Sequence, residues 1–466
     1  MSPFETFKSA CQTELNTVLP ERVAAIDWAP EQLKCAREDG LQKLLIHAVN
    51  HSKWHQQRLK GLDLSVVTPD KMNTLPTMNK SDVQANFDAI STDTKVTKAW
   101  CDQHLAAGDF YTDGTYCLLT SGGSSGQPGI QVYKPNAAMQ FASASFRGGI
   151  RYATRQGLPP ADPSKQFWIV AAAGAAHPTQ IIPPCIGING DNLWAVTDHF
   201  EDILSALNKL QPKQVMIYSS YLGRLIEAQL AGKLNISPEV ISMTSETPNL
   251  RDIVRAKELF GCRISSNWGS MEFGTMGLSS QFEDGHLLSD DIIIIEAVDE
   301  HGDAVKPGDK AAKLYLTNLY NTTVPLIRYK LTDQLTIYDR PAVCGSNLRA
   351  ASWVEGRSED HFVYAQESGD VNVHAHLFRH VLEHIPGIIE YQVKQTLNGA
   401  NVAVVASGRN KIDVNKLSQT LADDLKKVGL TGAQVVVNIV SKIERTSAQK
   451  LSRFIPCQAT KDSPAV

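Results

Sequence analysis

A loop rich in glycine and serine is the clearest chemical signal in the sequence. Residues 121–128 read Ser-Gly-Gly-Ser-Ser-Gly-Gln-Pro and follow a predicted buried strand. Glycines let a backbone approach a ligand closely, and serine hydroxyls can donate to phosphate oxygens. No Gly-Lys-Ser/Thr follows, so this is not a Walker loop, and alone it predicts either a phosphate site or a flexible connector. The candidate phosphate ligands are Ser121, Gly123, Ser124, Ser125 and Gly126.

Three further segments carry side chains suited to the same chemistry. Residues 267–272 read Asn-Trp-Gly-Ser-Met-Glu directly after a predicted strand, where Trp268 can stack on a ring and Glu272 can bind Mg²⁺ through oxygen. Asp333 can accept hydrogen bonds from ribose hydroxyls, and Lys450 can reach over an active site from near the C-terminus. Each also has a purely structural interpretation, as a buried tryptophan, a surface carboxylate or a solvated lysine.

The elements around these segments predict an α/β fold. Apolar strand-like runs alternate with amphipathic helical runs, which favours layered α/β structure with a largely parallel sheet. Ligands bind such sheets at the carboxyl ends of the strands. The predicted strands are 115–120, 166–174, 213–220 and 262–267, and the predicted helices are 31–59, 200–210, 221–230 and 250–260.

In the second half of the chain, extended segments replace the regular alternation of strands and helices. A small β-unit is expected from two strands within 291–319 and from extended segments at 324–329 and 335–339. A hairpin through Asn398-Gly399, an amphipathic helix capped by Asp413 and stopped by Gly429, and a strand at 434–440 then predict a compact α+β module. We therefore expect a large N-terminal domain at 1–355 and a small, mobile C-terminal lid domain at 356–466.

Composition excludes several classes of protein. The 466 residues include 45 basic and 49 acidic side chains, for a net charge of −4, so neither nucleic acid nor a membrane is an expected partner. The eight cysteines are scattered without a Cys-x-x-Cys pair, a pattern typical of a reducing compartment. The N-terminus does not resemble a signal peptide, and no apolar run reaches 18 residues. The expectation is a cytoplasmic protein.

In their order and spacing, the four segments resemble the superfamily of adenylate-forming enzymes, which includes acyl-CoA synthetases, luciferases and peptide-synthetase adenylation domains. More narrowly, the chain resembles the phenylacetate–CoA ligase family over roughly residues 110–455. The matching segments are the Gly-x-Pro end of the loop, the aromatic-Gly-x-x-Glu string at 268–272, "VPLIRYKLTD" at 324–333, a hinge-like string at 356–360 and the segment 371–388.

This resemblance implies roles for individual residues. Ser124, Ser125 and Gly126 would surround the β- and γ-phosphates, and Lys450 would touch the carboxylate and the α-phosphate. Glu272 would bind Mg²⁺. The remaining implied nucleotide-site residues are Ser245 and Glu246 beside adenine and ribose, Asn267 and Gly269, Trp268 against the adenine or the acyl pocket, Asp333 on the ribose and Arg357 at the hinge.

Four residues are candidates for the pocket that holds the acid, besides Trp268. His177 follows a predicted strand end and is expected either to face the acyl pocket or to pack there. Tyr218, Ser220 and Tyr221 follow another strand, and a packed strand end explains them equally well.

The implied activity is ATP-dependent activation of a carboxylic acid, aromatic or similarly compact, through an acyl-adenylate. The acyl group would then pass to a thiol, with coenzyme A as the expected acceptor. The alternative is an adenylating enzyme with another acceptor, which would be the phosphopantetheine of an acyl-carrier protein, a protein cysteine or an amine. A nucleotide-binding regulatory protein without turnover is an alternative of another class, and because family members are often dimers, a homodimer stays open.

The chain also departs from the family pattern. Gln127 stands where lysine is frequent, and Met271 replaces a hydroxyl expected near the AMP phosphate. Cys344 lacks the neighbouring cysteine that some relatives have, so no structural zinc is expected from that motif. These changes predict a divergent member with an altered acid or acceptor.

Overall fold

Helices alone build the first part of the chain, and strands enter from residue 117 onward. The structure, a computed structural model, describes residues 1–121, 129–171, 176–188, 190–279, 285–357, 361–366, 369–408, 411–445 and 451–457. The helices are α1 (Pro3–Ala25), α2 (Pro30–His51), α3 (Lys53–Arg58), α4 (Lys80–Ile90), α5 (Lys98–Ala107), α6 (Pro135–Arg155), α7 (Pro178–Cys185), α8 (Phe200–Leu210), α9 (Tyr221–Leu230), α10 (Leu250–Phe260), α11 (Ala375–Leu382) and α12 (Val414–Lys427).

The strands fall into one large sheet and several small ones. They are β1 (Cys117–Thr120), β2 (Ile130–Tyr133), β3 (Gln166–Val170), β4 (Leu193–Ala195), β5 (Gln214–Tyr218), β6 (Val240–Thr244), β7 (Arg263–Ser270), β8 (Gly274–Leu278), β9 (Gly285–Leu288), β10 (Ile293–Val298), β11 (Lys313–Asn318), β12 (Tyr329–Leu331), β13 (Asp333–Gln334), β14 (Ala350–Ser352), β15 (Gly356–Arg357), β16 (His361–Tyr364), β17 (Val371–His374), β18 (Ile388–Thr396), β19 (Gly399–Ala406), β20 (Gln434–Ile439) and β21 (Phe454–Ile455).

The large sheet has eight strands in the order β14-β9-β8-β7-β6-β5-β3-β4. The five strands from β4 to β7 run parallel, and β8, β9 and β14 continue antiparallel. β5 is buried over almost its whole length, as a parallel strand covered on both faces must be. The predicted α/β class with a largely parallel sheet is therefore confirmed, and the carboxyl ends of β3, β5, β6 and β7 lie at one edge.

Most predicted elements occur, and two predictions are wrong in detail. The helix expected at 31–59 is broken at Ser52, whose hydroxyl accepts from the His55 N–H and starts α3. The segment 324–329 is not a continuous strand, because Arg328 has φ of +54°, outside the extended region. The segment 335–339 forms isolated bridges at Thr336 and Ile337 instead of a strand. The two strands expected within 291–319 form the antiparallel pair β10 and β11.

The smaller C-terminal domain has its own sheet and core. Its four strands lie in the order β20-β19-β18-β21, and α12 covers them with Leu417, Leu421 and Leu425 buried. The predicted hairpin turns at Asn398-Gly399, where a Cβ on the glycine would lie 1.9 Å from the Gln434 carbonyl oxygen. Glycine is therefore required at this turn.

A buried ion cluster joins the N-terminal helices to the large sheet. Asp291 accepts from the guanidinium of Arg22 on α1 at 2.6 Å and from that of Arg147 on α6 at 2.8 Å. The side chains of Arg147 and Asp291 are fully buried, and Arg147 also donates to the Ser289 hydroxyl at 2.9 Å. Asp291 thus pairs with both arginines where α1 and α6 meet, and Arg22 pairs in addition with Glu21 at 2.5 Å.

Removal of this carboxylate should strongly destabilise the N-terminal domain. Asp291→Ala removes the carboxylate that pairs with the fully buried Arg147 and leaves Arg22 with the half-exposed Glu21, so we expect a loss of about 3–5 kcal/mol in the free energy of unfolding, measured by urea titration. Asp113→Ala is the matched control, because Asp113 pairs with Lys95 and both side chains are 49% exposed. The control should lose no more than about 1 kcal/mol, and equal losses in the two variants would contradict the role given to the cluster.

Candidate active site

The turns that leave the parallel strands bring the predicted site segments to one edge of the sheet. β5 is followed by Ser219 and Ser220, β6 by Ser245 and Glu246, and β7 by the turn at 271–273. The Gly/Ser loop joins this edge from the separate β1–β2 hairpin. Two cavities lie here, and they share Met271 in their walls.

The ends of the Gly/Ser loop are held together. The Ser121 N–H donates to the Gly129 carbonyl at 3.1 Å, and the Gly129 N–H donates to the Ser121 hydroxyl at 2.8 Å. Residues 122–128, with the candidates Gly123, Ser124, Ser125 and Gly126, lie outside the described residues. The described flanks thus fix where the loop leaves and re-enters the hairpin.

Glu272 lies beside the loop flank. A Cβ on Gly129 would be 3.3 Å from Met271 Cε and 3.9 Å from Glu272 Oε1, so the backbone passes close to both side chains. The turn that presents them is anchored, because the Tyr133 hydroxyl donates to the Met271 carbonyl at 2.7 Å and the Asn318 amide donates to the Glu272 carbonyl at 2.8 Å. The structure therefore joins two of the segments singled out from the sequence.

The smaller cavity, of about 450 Å³, contains two lysines that the sequence analysis did not identify. Glu272 lines it together with Lys80 and Lys98. Each lysine begins a helix directly after a capping residue, Asn79 before α4 and Thr97 before α5. Those caps predict the helix starts, but nothing in the spacing links them to residue 272.

The larger cavity, of about 670 Å³ with its open mouth included, adjoins the smaller one at Met271. Its walls combine apolar and aromatic side chains with polar ones. The apolar side chains are Phe141, Ala142, Phe146, Trp168, Pro178, Ile182, Pro183, Met216 and Met271. The polar ones are Ser145, His177, Thr179, Thr244, Ser245, Asn267, Ser270 and Thr275, and Gly269 and Gly274 complete the lining.

His177 is held in the wall of this cavity by its role as a helix cap. It precedes α7, where its Nδ1 accepts from the Thr179 N–H at 3.3 Å and lies 2.9 Å from the Thr179 hydroxyl. The ring also meets Tyr218 edge-on at 6.3 Å between centroids. Tyr218 therefore supports the wall from behind.

Four predicted pocket residues do not line the larger cavity. Tyr218 and Tyr221 are fully buried, and burial raises the pKa of Tyr221 to about 12. Ser220 faces the C-terminal domain, where its hydroxyl accepts from Arg445 Nη1 at 3.1 Å. Trp268 lies behind the wall, because its indole N–H donates to Asp333 Oδ2 at 2.9 Å. The burial of Tyr218 and Tyr221 agrees with packing at a strand end and not with a position in the cavity wall.

Asp333 is thus tied to the tryptophan of another predicted segment. Only 8% of Asp333 is exposed, and it lies opposite Arg357 in the β13–β15 pairing, where only the Arg357 backbone is described. The segment 267–272 therefore contacts two of the others, since Glu272 lies beside the loop flank and Trp268 donates to Asp333. Lys450 lies outside the described residues.

Ser245 and Glu246, which the sequence assigned together to the nucleotide, diverge. Ser245 lines the larger cavity and has φ of +70°, a conformation that residues other than glycine adopt infrequently. Glu246 does not line it, because its carboxylate accepts from the backbone N–H groups of Ser220 and Leu451. The turn therefore sends two neighbouring side chains to different places.

The residues present fit a magnesium ion shared with a nucleotide better than a closed protein site. Among the described residues, no group of three or more His, Cys, Asp or Glu side chains is arranged to hold a metal ion. Glu272 supplies one carboxylate, and phosphate oxygens and water commonly complete a Mg²⁺ shell of that kind.

Among the residues that the structure describes, no helix is both long enough and apolar enough to cross a membrane.

Comparison with known proteins identifies the fold. No protein-family model matches the chain. Among curated proteins, Protein CapK of Staphylococcus aureus is 22% identical over 418 residues, which span 86% of this chain and 84% of CapK. Among solved structures, 2-hydroxyisobutyryl-CoA ligase in its postadenylation state with 2-HIB-AMP gives a TM-score of 0.68 at 16% identity, over 93% of this chain and 92% of that one. The same ligase in its thioesterification state with CoA gives 0.56 at 17% identity, over 93% and 91%.

The chain therefore has the fold of adenylate-forming acyl-CoA ligases, with a large N-terminal and a smaller C-terminal domain. The overlap is greater with the postadenylation state than with the thioesterification state of that ligase.

A buried histidine next to this site makes stability depend on pH. His286 lies between Trp268 and Trp353, with ring centroids 6.1 and 4.9 Å away. Complete burial lowers its pKa to about 3. The neutral ring is therefore stabilising above the pKa of the unfolded chain, near 6.5, and that contribution is lost as the pH falls toward 3.

We predict that lowering the pH from 7.5 to 5 removes about 2 kcal/mol of stability through His286 alone. His286→Gln should show a correspondingly smaller loss over the same interval, measured by urea unfolding at each pH. His301→Gln, which changes an exposed histidine in a turn, should keep the wild-type dependence. An unchanged pH dependence in His286→Gln would show that another group is responsible.

Proposed function

We propose that this protein uses ATP to convert a carboxylic acid into an acyl-adenylate and then transfers the acyl group to a thiol. The observation that carries the proposal is the meeting of the Ser121–Gly129 loop flanks with Glu272 at one sheet edge, between two adjoining cavities. The fold of adenylate-forming ligases supports it. More narrowly, we propose kinship with the phenylacetate–CoA ligases, from the ordered motifs alone.

The first half-reaction needs the acid and the α-phosphorus side by side. A carboxylate oxygen attacks the α-phosphorus, forming the mixed anhydride, and the bond to the bridging oxygen breaks to release pyrophosphate. Met271 marks the junction where the reacting groups would meet, because it lines both cavities. The acid and the adenosine would occupy the larger cavity, with Ser245, Asn267 and Gly269 in its wall. Lys450 is proposed to touch the carboxylate and α-phosphate oxygens.

Charge compensation is the main demand on the phosphate side. Residues 121–128 include no lysine or arginine, so the loop offers backbone N–H groups and hydroxyls but no positive charge. We assign part of that charge to Lys80 and Lys98, which share the smaller cavity with Glu272. Glu272 would hold Mg²⁺, which neutralises phosphate charge when bound.

The second half-reaction transfers the acyl group from AMP to sulfur. A thiolate attacks the acyl carbon, and AMP leaves with its phosphate oxygen. Coenzyme A is the proposed acceptor. The apolar walls formed by Phe141, Phe146 and Trp168 suit a compact or aromatic acid, and the Ser145 and Thr275 hydroxyls, 2.6 Å apart, add a polar spot among them.

Acid-dependent exchange of labelled pyrophosphate into ATP tests the first half-reaction. A panel of aryl, aliphatic and hydroxy acids should include at least one that supports exchange in the presence of Mg²⁺. Glu272→Gln should reduce the exchange rate with that acid at least tenfold, through loss of a ligand charge at the phosphates. An absence of exchange across the whole panel would rule out adenylation and favour a nucleotide-binding protein without turnover.

Replacing the two lysines should weaken binding of the phosphates specifically. Lys80→Ala and Lys98→Ala should each raise the KM for ATP in the exchange assay roughly tenfold, because a charge-assisted contact to phosphate is lost. The KM for the acid should stay within about twofold, since the acid occupies the other cavity. Lys95→Ala removes a nearby exposed lysine that does not line the cavity and serves as the control. An equal rise in the KM for ATP in all three variants would contradict a specific role of Lys80 and Lys98, because any loss of positive charge would then have the same effect.

A further inference from the structure

The turn after β6 makes hydrogen bonds from the large domain to the C-terminal domain. Ser245 takes a left-handed conformation there, with φ of +70°. The two residues that follow it contact the C-terminal domain instead of the cavity. The Thr247 carbonyl accepts from Arg453 Nη1 at 2.7 Å, and Glu246 makes several contacts of its own.

The carboxylate of Glu246 lies buried between the domains. Its Oε1 accepts from the Leu451 N–H at 2.6 Å, and its Oε2 accepts from the Ser220 N–H at 2.8 Å. Only 4% of the side chain is exposed. Hydrogen bonds to a charged acceptor in such surroundings are strong, and their loss would leave a buried charge poorly compensated.

Arg445 of the C-terminal domain lies close to the same carboxylate. Its Nη1 lies 3.7 Å from Glu246 Oε1 and donates to the Ser220 hydroxyl, while its Nη2 donates to Glu390 Oε1 at 2.7 Å. In the sequence, Arg445 immediately precedes residues 446–450, and Leu451 immediately follows them. Glu246 of the large domain therefore contacts both flanks of this five-residue segment.

We propose that Glu246 is a positioning residue for the adenylation step and not a ligand of the nucleotide. It holds Arg445 and Leu451 against the large domain during the first half-reaction, and in the sequence Lys450 lies between these two residues. The effect on catalysis rests on the proposed function. The contacts of Glu246 with Arg445 and Leu451, which we call the clamp, do not depend on it. Because the contacts join the two domains, they would be absent whenever the C-terminal domain turns away.

The kinetic test separates the two half-reactions in Glu246→Gln. The amide keeps the size of the side chain but loses its charge and one acceptor. Acid-dependent pyrophosphate exchange should fall roughly 10- to 100-fold in maximal rate, whereas the KM for ATP stays within about twofold. Transfer from supplied acyl-AMP to coenzyme A should stay within about threefold of wild type. A raised KM for ATP with an unchanged maximal rate, or an equal fall in both half-reactions, would overturn the proposal.

Arg251→Ala is the matched control for general weakening of the domain interface. Arg251 Nη1 donates to the Ile385 carbonyl at 2.8 Å, across the same interface but away from the segment. The same nitrogen also donates to the Glu383 carbonyl at 3.4 Å, and loss of these partly buried contacts should change exchange by less than about threefold. If Arg251→Ala reproduced the pattern of Glu246→Gln, docking of the whole domain would explain the result and positioning would be refuted.

Limited trypsin digestion tests the clamp without any catalytic turnover. Lys442, Arg445 and Lys450 are cleavage sites in and beside the segment. In the ligand-free protein, Glu246→Gln should increase the rate of cleavage at these sites several-fold, whereas Arg251→Ala should not, and thermal unfolding confirms that each variant is folded. Unchanged cleavage in Glu246→Gln would overturn the clamp. This readout stands even if no acid supports exchange, so failure of the clamp and failure of the proposed function are told apart.

Discussion

The direction of the chain changes at β7, and the candidate site depends on that change. β6 and β7 pair in parallel, β7 and β8 pair antiparallel, and a tight turn at 271–273 connects the last two. Parallel strands deliver their carboxyl ends to one edge, so the turns after β3, β5 and β6 reach the same place as the turn that carries Met271 and Glu272. Tyr133 and Asn318 fix the backbone of that turn from neighbouring elements. The edge thus brings together side chains that lie far apart in the sequence.

The distribution of charge follows from this geometry. Residues 121–128 include no charged side chain, and the lysines in the smaller cavity come from the starts of α4 and α5 in the N-terminal helical region. A triphosphate needs cations near it, and a protein can supply them from any element that reaches the cavity. On the opposite side of the edge, the carboxylate of Glu246 serves the interface between the domains. The charged groups that line the smaller cavity are therefore different from those that join the two domains.

Local signals predicted much of the fold and part of the site. The helices at 200–210, 221–230 and 250–260 have clear apolar periodicity and occur at their predicted bounds, and Asn398-Gly399 turns as its chemistry requires. Glu272 could be placed at a strand end because β7 precedes it. The contacts of Trp268 with Asp333 and of Lys98 with the cavity could not be predicted, since they join positions whose proximity is set by tertiary packing. The Glu246 side chain follows a residue with positive φ, Ser245, and the serine residue type gives no sign of that backbone conformation.

The central claim is that the carboxylate attacks the α-phosphorus of ATP, and the fate of the carboxylate oxygen tests it directly. The best acid from the exchange screen, labelled with ¹⁸O in its carboxyl group, is incubated with the enzyme, ATP, Mg²⁺ and coenzyme A, and the products are analysed by mass spectrometry. Attack at the α-phosphorus predicts one ¹⁸O atom in AMP for each thioester formed, and none in pyrophosphate. Label in inorganic phosphate, or AMP without label, would contradict the acyl-adenylate mechanism.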